Sequence, residues 1–218
     1  MTDELIVVFG GSGFVGRYVV RALAKAGKRV RVAMRRPHLA ADLRVMGNVG
    51  QIQLVQANVR NAESVARALQ GADGVVNLVG ILFEKGKQTF DATQMQGAQT
   101  IATCAAAAGI TRYVHMSAIG ADPASASQYG RTKGAAEAEV TKLVPTATIL
   151  RPSIIFGPED DFFNRFAAMA RISPALPLIG GGHTRFQPVY VGDVARAVVK
   201  GLDTGGGLYE LGGPQTYS

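Results

Sequence analysis

Short unbroken apolar runs alternate along the chain with stretches whose apolar residues recur at helical spacing. Leu5–Phe9 has no polar position, which predicts a strand buried on both faces of a parallel sheet. Phe14, Val15, Tyr18, Val19, Ala22, Leu23 and Ala26 then mark one face of a helix that Gly27 closes. The alternation continues with strands expected at Val30–Met34, Ile52–Val55, Val75–Val79, Tyr113–Met116 and Thr146–Leu150. Between them the pattern predicts a helix from Ser64 to Leu69 behind an Asn61 N-cap, one from about Thr93 to Ala108 closed by Gly109, and one from Gln128 to Leu143. Strand and helix in strict alternation imply an α/β fold, a Rossmann-type doubly wound parallel sheet. After Arg151 the texture changes. Pro152, Pro158, Pro174, Pro177 and the run Gly180-Gly181-Gly182 break the chain into short pieces, read as loops and small elements over one end of the sheet. A last helix near Val194–Leu202 and a short strand at Leu208–Leu211 follow. Gln215-Thr216-Tyr217-Ser218 resembles the opening of a further element, which suggests a chain truncated at its C-terminus.

Composition narrows the class. Apolar residues make up 47% and charged residues 18% of 218, a balance that supports a sizeable core and excludes a disordered chain. No apolar run reaches the roughly 20 residues of a membrane helix. Met1-Thr2-Asp3-Glu4 leads straight into the first strand without a basic leader, and the lone Cys104 has no internal disulfide partner, so a cytoplasmic chain is expected. Lys and Arg exceed Asp and Glu by 23 − 16 = 7, which favours anionic partners such as a phosphorylated cofactor. Apart from Arg29, Arg31, Arg35 and Arg36 the basic residues are scattered, with no nucleic-acid motif, and no metal-ligand cluster stands out.

The chemistry begins at Gly10-Gly11-Ser12-Gly13-Phe14-Val15-Gly16, which joins the first strand directly to the first helix. Glycines at 10, 13 and 16 allow a tight turn, close approach of backbone to a pyrophosphate, and close helix–strand packing, with the phosphates on the positive end of the helix dipole. A nucleotide P-loop does not fit, because Arg17-Tyr18 stand where Lys and Ser/Thr would be needed. The second strand ends in Met34-Arg35-Arg36-Pro37, with no acid until Asp42. A carboxylate there would accept from the 2′-hydroxyl of NAD, whereas Arg35 and Arg36 suit a 2′-phosphate, so NADP(H) is favoured over NAD(H). The expected organisation is one NAD(P)-binding domain over 1–218, with a cofactor core to about 150 and substrate-side elements from about 151.

Tyr129-Gly130-Arg131-Thr132-Lys133 places a phenol and an ammonium on one helix face, where the cation would lower the phenol's pKa. Ser117, just past the fifth strand, lies at the carboxyl end of the sheet and would hold a substrate oxygen beside Tyr129. Ser117, Tyr129 and Lys133 are the candidate catalytic residues. His115, on a buried strand, reads as core, Asp193 as a helix N-cap, and His183 as either loop or site.

With Gly10–Gly16, Ser117 and Tyr129-x-x-x-Lys133, the chain resembles the short-chain dehydrogenase/reductase superfamily. Arg151-Pro152-Ser153-Ile154-Ile155-Phe156-Gly157-Pro158 and Gln187-Pro188-Val189-Tyr190-Val191-Gly192-Asp193-Val194 are similar to its extended, epimerase-like branch. Within it the chain resembles the NADPH-binding accessory subunit of respiratory complex I and its bacterial relatives. That resemblance implies that Gly80 passes close to the cofactor, that Pro152 and Ile154 line the nicotinamide side, and that Lys133 also holds the nicotinamide ribose. Asn58, followed by Val59, stands where many relatives carry an Asp beside the adenine. Gln94-Met95-Gln96-Gly97 replaces a helix asparagine of many active members, which speaks against an intact proton relay. Two functions stay open: an NADP-dependent oxidoreductase or epimerase/dehydratase, and a largely non-catalytic NADPH-binding subunit or assembly factor. The second implies association with NADH:ubiquinone oxidoreductase or ubiquinone biosynthesis, peripherally at the inner face of the membrane. The loops at Phe162–Arg165 and Gly180–Phe186 are expected to form the substrate pocket, for an undetermined substrate.

Overall fold

The computed structural model describes residues 3–172 and 183–218; Pro174, Pro177, the Gly180–Gly182 run and the first part of the expected Gly180–Phe186 pocket loop lie outside the described residues. The order is β1 (Leu5–Phe9), α1 (Phe14–Lys25), β2 (Arg29–Met34), a 3-10 segment (Pro37–Met46) kinked at Ala40, β3 (Ile52–Gln56), α2 (Ala62–Leu69) and β4 (Gly74–Asn77). A π turn (Asp91–Met95) then runs into α3 (Gln96–Ala107), followed by β5 (Arg112–Met116), α4 (Gln128–Leu143), β6 (Thr148–Pro152) and β7 (Ile155–Phe156). α5 (Phe162–Ala170), β8 (Val189–Tyr190), α6 (Val191–Thr204) and β9 (Gly207–Leu211) complete the described elements.

Seven parallel strands form one sheet in the order β3-β2-β1-β4-β5-β6-β9, and β7 pairs with β8 in a small parallel ribbon. The apolar run of β1 shows why the sheet is covered on both sides. Ile6 and Val8 face a core shared with Val19, Val20 and Leu23 of α1 and Val194, Val198 and Leu202 of α6. Val7 and Phe9 face the opposite core, built with Val65 and Leu69 of α2, Ile101 and Ala105 of α3, and Ala136 and Val140 of α4. Successive strand residues point to opposite faces, so a strand buried on both must be apolar throughout. Strand order reverses between β1 and β4. In doubly wound sheets the crevice at that switch point, beyond the carboxyl ends of the strands, is where ligands bind.

Several boundaries differ from the sequence expectation. β4 stops at Asn77: Leu78 N still donates to the Phe9 carbonyl of β1 (2.9 Å), but the Val79 N–H is taken by the Asn77 side chain (3.0 Å) and leaves the ladder. β6 runs to Pro152 rather than from Thr146, because β9 pairs with it and takes Arg151 and Pro152 into register with Glu210 and Leu211. That also makes β9 the seventh strand of the main sheet and not a loose cover. Phe162–Arg165, expected as loop, opens the helix α5. Asp193 lies in the first turn of α6 and pairs with Arg196, while Tyr190 holds the N-cap position; the expected Asp193 cap does not form. Asn61 does cap α2, accepting from Ser64 N at 2.8 Å.

Candidate cofactor cleft and catalytic cluster

The four motif glycines meet three different demands. Gly10 sits at φ +81°, and a Cβ there would lie 2.9 Å from the Leu78 carbonyl carbon, so the turn itself requires glycine. Gly16 packs against the turn; its Cβ would fall 2.3 Å from the Gly10 oxygen. Gly11 is likewise internal, 2.6 Å from Val32. Gly13 alone is open. Its backbone is extended (φ −76°, ψ 175°) as the N-cap of α1, and a Cβ would meet only the Gly10 oxygen, at 3.5 Å. Space above Gly13, together with the unpaired N–H groups of a helix first turn that carries no acid, is what a pyrophosphate needs.

Ser12 and Gly13 open onto a cleft of about 330 Å³ at the β1/β4 switch point. Its walls come from Met34 at the end of β2 and Arg35 just beyond it, Asn58, Val59 and Arg60 after β3, and Leu78–Ile81 after β4. Gln88 and Thr93 close the far side. Among the described residues lining it there is no Asp or Glu, while Arg35 and Arg60 are both present. Asn58 is partly committed to its own loop, with its Oδ1 accepting from Arg60 N at 3.1 Å. Val59 packs its side chain toward α3, where a Cβ on Gly97 would touch it at 2.9 Å. Of the other expected cofactor residues, Val15 packs on the core beneath α1, and the Phe14 ring stacks edge-on with Tyr18 and borders Gly157. Arg36, Pro152 and Ile154 are not among the residues lining this cleft.

Gly80 connects the cleft to the second cluster. A Cβ there would stand 3.5 Å from Lys133 Nζ and 3.7 Å from Gln94 Oε1, so both side chains converge on that point of backbone. Lys133 is buried and donates to the Met116 carbonyl at 2.9 Å. Burial lowers its pKa to about 8, with the Glu137 charge pulling weakly the other way. Glu137, one turn along α4, is itself held by Arg151, which donates to both of its oxygens (2.9 and 2.7 Å). Ser117 Oγ is buried without a protein partner, as are both amide atoms of Gln94. An unpaired buried polar group costs roughly 1–3 kcal/mol, so the Gln94 amide, converging on Gly80 in the cleft wall, is open to a polar group of another molecule; Tyr113 Oη and His115 Nε2, in the core, are buried without a partner as well.

Two expectations are corrected or sharpened here. Burial pushes the Tyr129 phenol up rather than Lys133 drawing it down, because the ammonium is turned to the Met116 carbonyl. The Tyr129 ring packs edge-on with Phe90 at 5.8 Å. His115 is core: its Nδ1 lies 3.2 Å from the Asn77 amide nitrogen, and burial, then the nearby Lys133, lowers its pKa to about 3. Sequence reading missed Arg60, Gln88 and Thr93 as cleft residues. It saw Gln94 only as a departure from a family pattern, although a lone glutamine on an otherwise apolar helix face was a usable signal.

The family model for the NAD dependent epimerase/dehydratase family matches residues 6–212. A protein of Arabidopsis thaliana named NADH dehydrogenase [ubiquinone] 1 alpha subcomplex subunit 9, mitochondrial, is 40% identical over 97% of this chain and 54% of its own length. The Mus musculus protein of the same name is 37% identical over 100% of this chain and 59% of its own. The chain therefore spans just over half the length of these relatives. Among solved structures, UDP-glucuronic acid 4-epimerase from Bacillus cereus in complex with NAD superposes with a TM-score of 0.84 at 22% identity, covering 99% of this chain and 80% of that one, a likeness of fold.

Proposed function

The chain belongs to the NAD dependent epimerase/dehydratase family, and on that premise we propose that it binds NADP(H) in preference to NAD(H) and uses Ser117, Tyr129 and Lys133 for proton handling in an oxidoreductase or epimerase/dehydratase reaction. The observation that carries this reading is the convergence of Lys133 Nζ and the unpaired Gln94 amide on Gly80, where the cleft ends. In this reading the first turn of α1 holds the pyrophosphate above Gly13. Arg35 pairs with the 2′-phosphate, aided by a wall free of carboxylates. Lys133 donates to the nicotinamide ribose from its place at Gly80. A bound nicotinamide would supply or take up hydride. The chain's own part is the proton. Burial keeps the Tyr129 phenol protonated, so it acts as donor to a carbonyl oxygen, with the Ser117 hydroxyl donating to the same oxygen.

A second reading is favoured by the Arabidopsis and mouse relatives, whose names are those of respiratory-complex subunits. In it the same cleft holds NADPH as a structural group, and the protein serves NADH:ubiquinone oxidoreductase or ubiquinone biosynthesis as a largely non-catalytic subunit or assembly factor, docked peripherally at a membrane. Among the described residues no helix is long and apolar enough to cross one. A screen of carbonyl and quinone substrates, followed by single-turnover oxidation of bound NADPH, tests the first reading. Substrate-dependent oxidation that falls by roughly 10²–10⁴-fold in Tyr129→Phe supports it. Stable NADPH with every substrate supports the second.

A further inference from the structure

Segment 81–90 leaves the end of β4 and crosses the outer side of the cleft, contributing Ile81 and Gln88 to its wall. It is a small closed loop. Lys85 and Gln88 exchange both backbone hydrogen bonds (3.0 and 3.1 Å) around Gly86, and Phe90 N donates to Glu84 Oε1 at 2.7 Å. Leu82 to Lys87 are exposed, so little core packing holds the loop in place. It has two attachments at its C-terminal side. Arg60, projecting from the loop after β3, donates from its guanidinium to the Lys87 carbonyl at 2.9 Å. Phe90 packs its ring on Tyr129. The first attachment is at the end of the cleft where Asn58 and Arg35 lie, the second at the candidate proton donor.

We infer that segment 81–90 is a strap over the dinucleotide cleft, that Arg60 is its latch, and that Arg60 is thereby a positioning residue for whatever dinucleotide the cleft holds. The inference rests on the dinucleotide reading of the cleft. The chemistry follows from what Arg60 touches. Its partner is a backbone carbonyl 27 residues away, so the bond restrains the loop regardless of the loop's side chains. A charge-assisted hydrogen bond of this kind is stronger than a neutral one, and a loop with few buried contacts depends on such a bond for its closed state. Opening the strap would expose the side of the cleft lined by Gln88 and Ile81, so weakening the latch should speed release of ligand. Because the bond is to the protein and not to the ligand, it does not distinguish a 2′-phosphate from a 2′-hydroxyl. That separates the role of Arg60 from the one given to Arg35.

The test uses the full chain and Arg60→Ala, an exposed substitution on a loop. Hydrogen exchange of segment 81–90 is measured without ligand, and dissociation of NADPH and of NADH is followed by stopped-flow fluorescence. The expected result is faster exchange confined to the strap and its Arg60 loop. Both dissociation rates should rise by the same factor, on the order of tenfold, the worth of one charge-assisted hydrogen bond. Unchanged exchange and dissociation would overturn the latch. So would a loss for NADPH alone, which would make Arg60 a phosphate ligand. Failure of the unmodified protein to bind either dinucleotide would sink the cleft reading itself, and the latch with it.

Discussion

Replacing Gly13 by valine should separate ligand binding from folding, because of the four motif glycines it is the one whose missing side chain faces open space. A Cβ at Gly13 meets nothing closer than the Gly10 oxygen at 3.5 Å, and the φ of −76° and ψ of 175° are ordinary for any residue. The cost to the fold is therefore small. Valine is a poorer N-cap than glycine by about 1 kcal/mol. Stiffening the unfolded chain returns about 0.4–1 kcal/mol. The net of about 0–1 kcal/mol corresponds to a Tm lowered by no more than about 4 °C in a domain of this size. Binding should respond very differently. The two methyl groups would stand where a pyrophosphate must approach the first turn of α1, and losing even one or two charge-assisted hydrogen bonds removes about 3 kcal/mol or more. That is at least about a hundredfold in Kd. NADPH fluorescence titration reads the Kd and thermal unfolding reads the fold, on the same samples. A Gly13→Val variant that keeps both its Tm and its wild-type NADPH affinity would show that the phosphates do not bind above this turn. Gly16→Ala is the counter-case: its Cβ would lie 2.3 Å from the Gly10 oxygen, so it should lose stability first.

Three further outcomes are expected. Arg35→Asp should weaken NADP(H) binding by about 1–3 kcal/mol and reverse the preference toward NAD(H), measured by calorimetry with both. Lys133, lowered to about 8 in the fold, loses its proton there above about pH 8 while an unfolded lysine stays protonated up to about 10.4, so its contribution makes stability rise with pH between about 8 and 10; Lys133→Met should remove that rise in denaturant unfolding at pH 7, 8, 9 and 10. Glu137→Ala leaves half-buried Arg151 only the Ala121 carbonyl (2.9 Å) and a longer contact to Glu210 (3.7 Å), and should cost about 2–3 kcal/mol, below the range for a fully buried pair because those contacts and some solvent remain; a denaturant midpoint that does not move would refute it.

The sheet was legible in the sequence because its strands are buried on both faces and so carry unbroken apolar runs, as Leu5–Phe9 does. The glycine turn was legible because its spacing sits between such a strand and an amphipathic helix. The division of labour among its glycines was not, since Gly10, Gly13 and Gly16 look alike until the neighbours of each absent Cβ are known. The same holds for Lys133. Spacing put it on the Tyr129 face of α4, but the ammonium is drawn to the Met116 carbonyl of β5, a contact set by how helix and sheet pack. α5 escaped notice because none of its residues is buried, so no core-facing stripe had to be paid for by the pattern. β9 escaped as a sheet member because Gly207–Leu211 forms an exposed edge with weak apolar signal. Arg60 sits on a loop, where sequence pattern says little about what a side chain reaches.

The cleft beside Gly13 and Arg35 is proposed as an NADP(H) site. Paired calorimetric titrations of the unmodified chain with NADPH and NADH, at one pH and ionic strength, test it most directly. The expected result is one site per chain, with NADPH bound tighter by on the order of tenfold or more, as a paired 2′-phosphate requires. Equal affinities, or tighter binding of NADH, would contradict it.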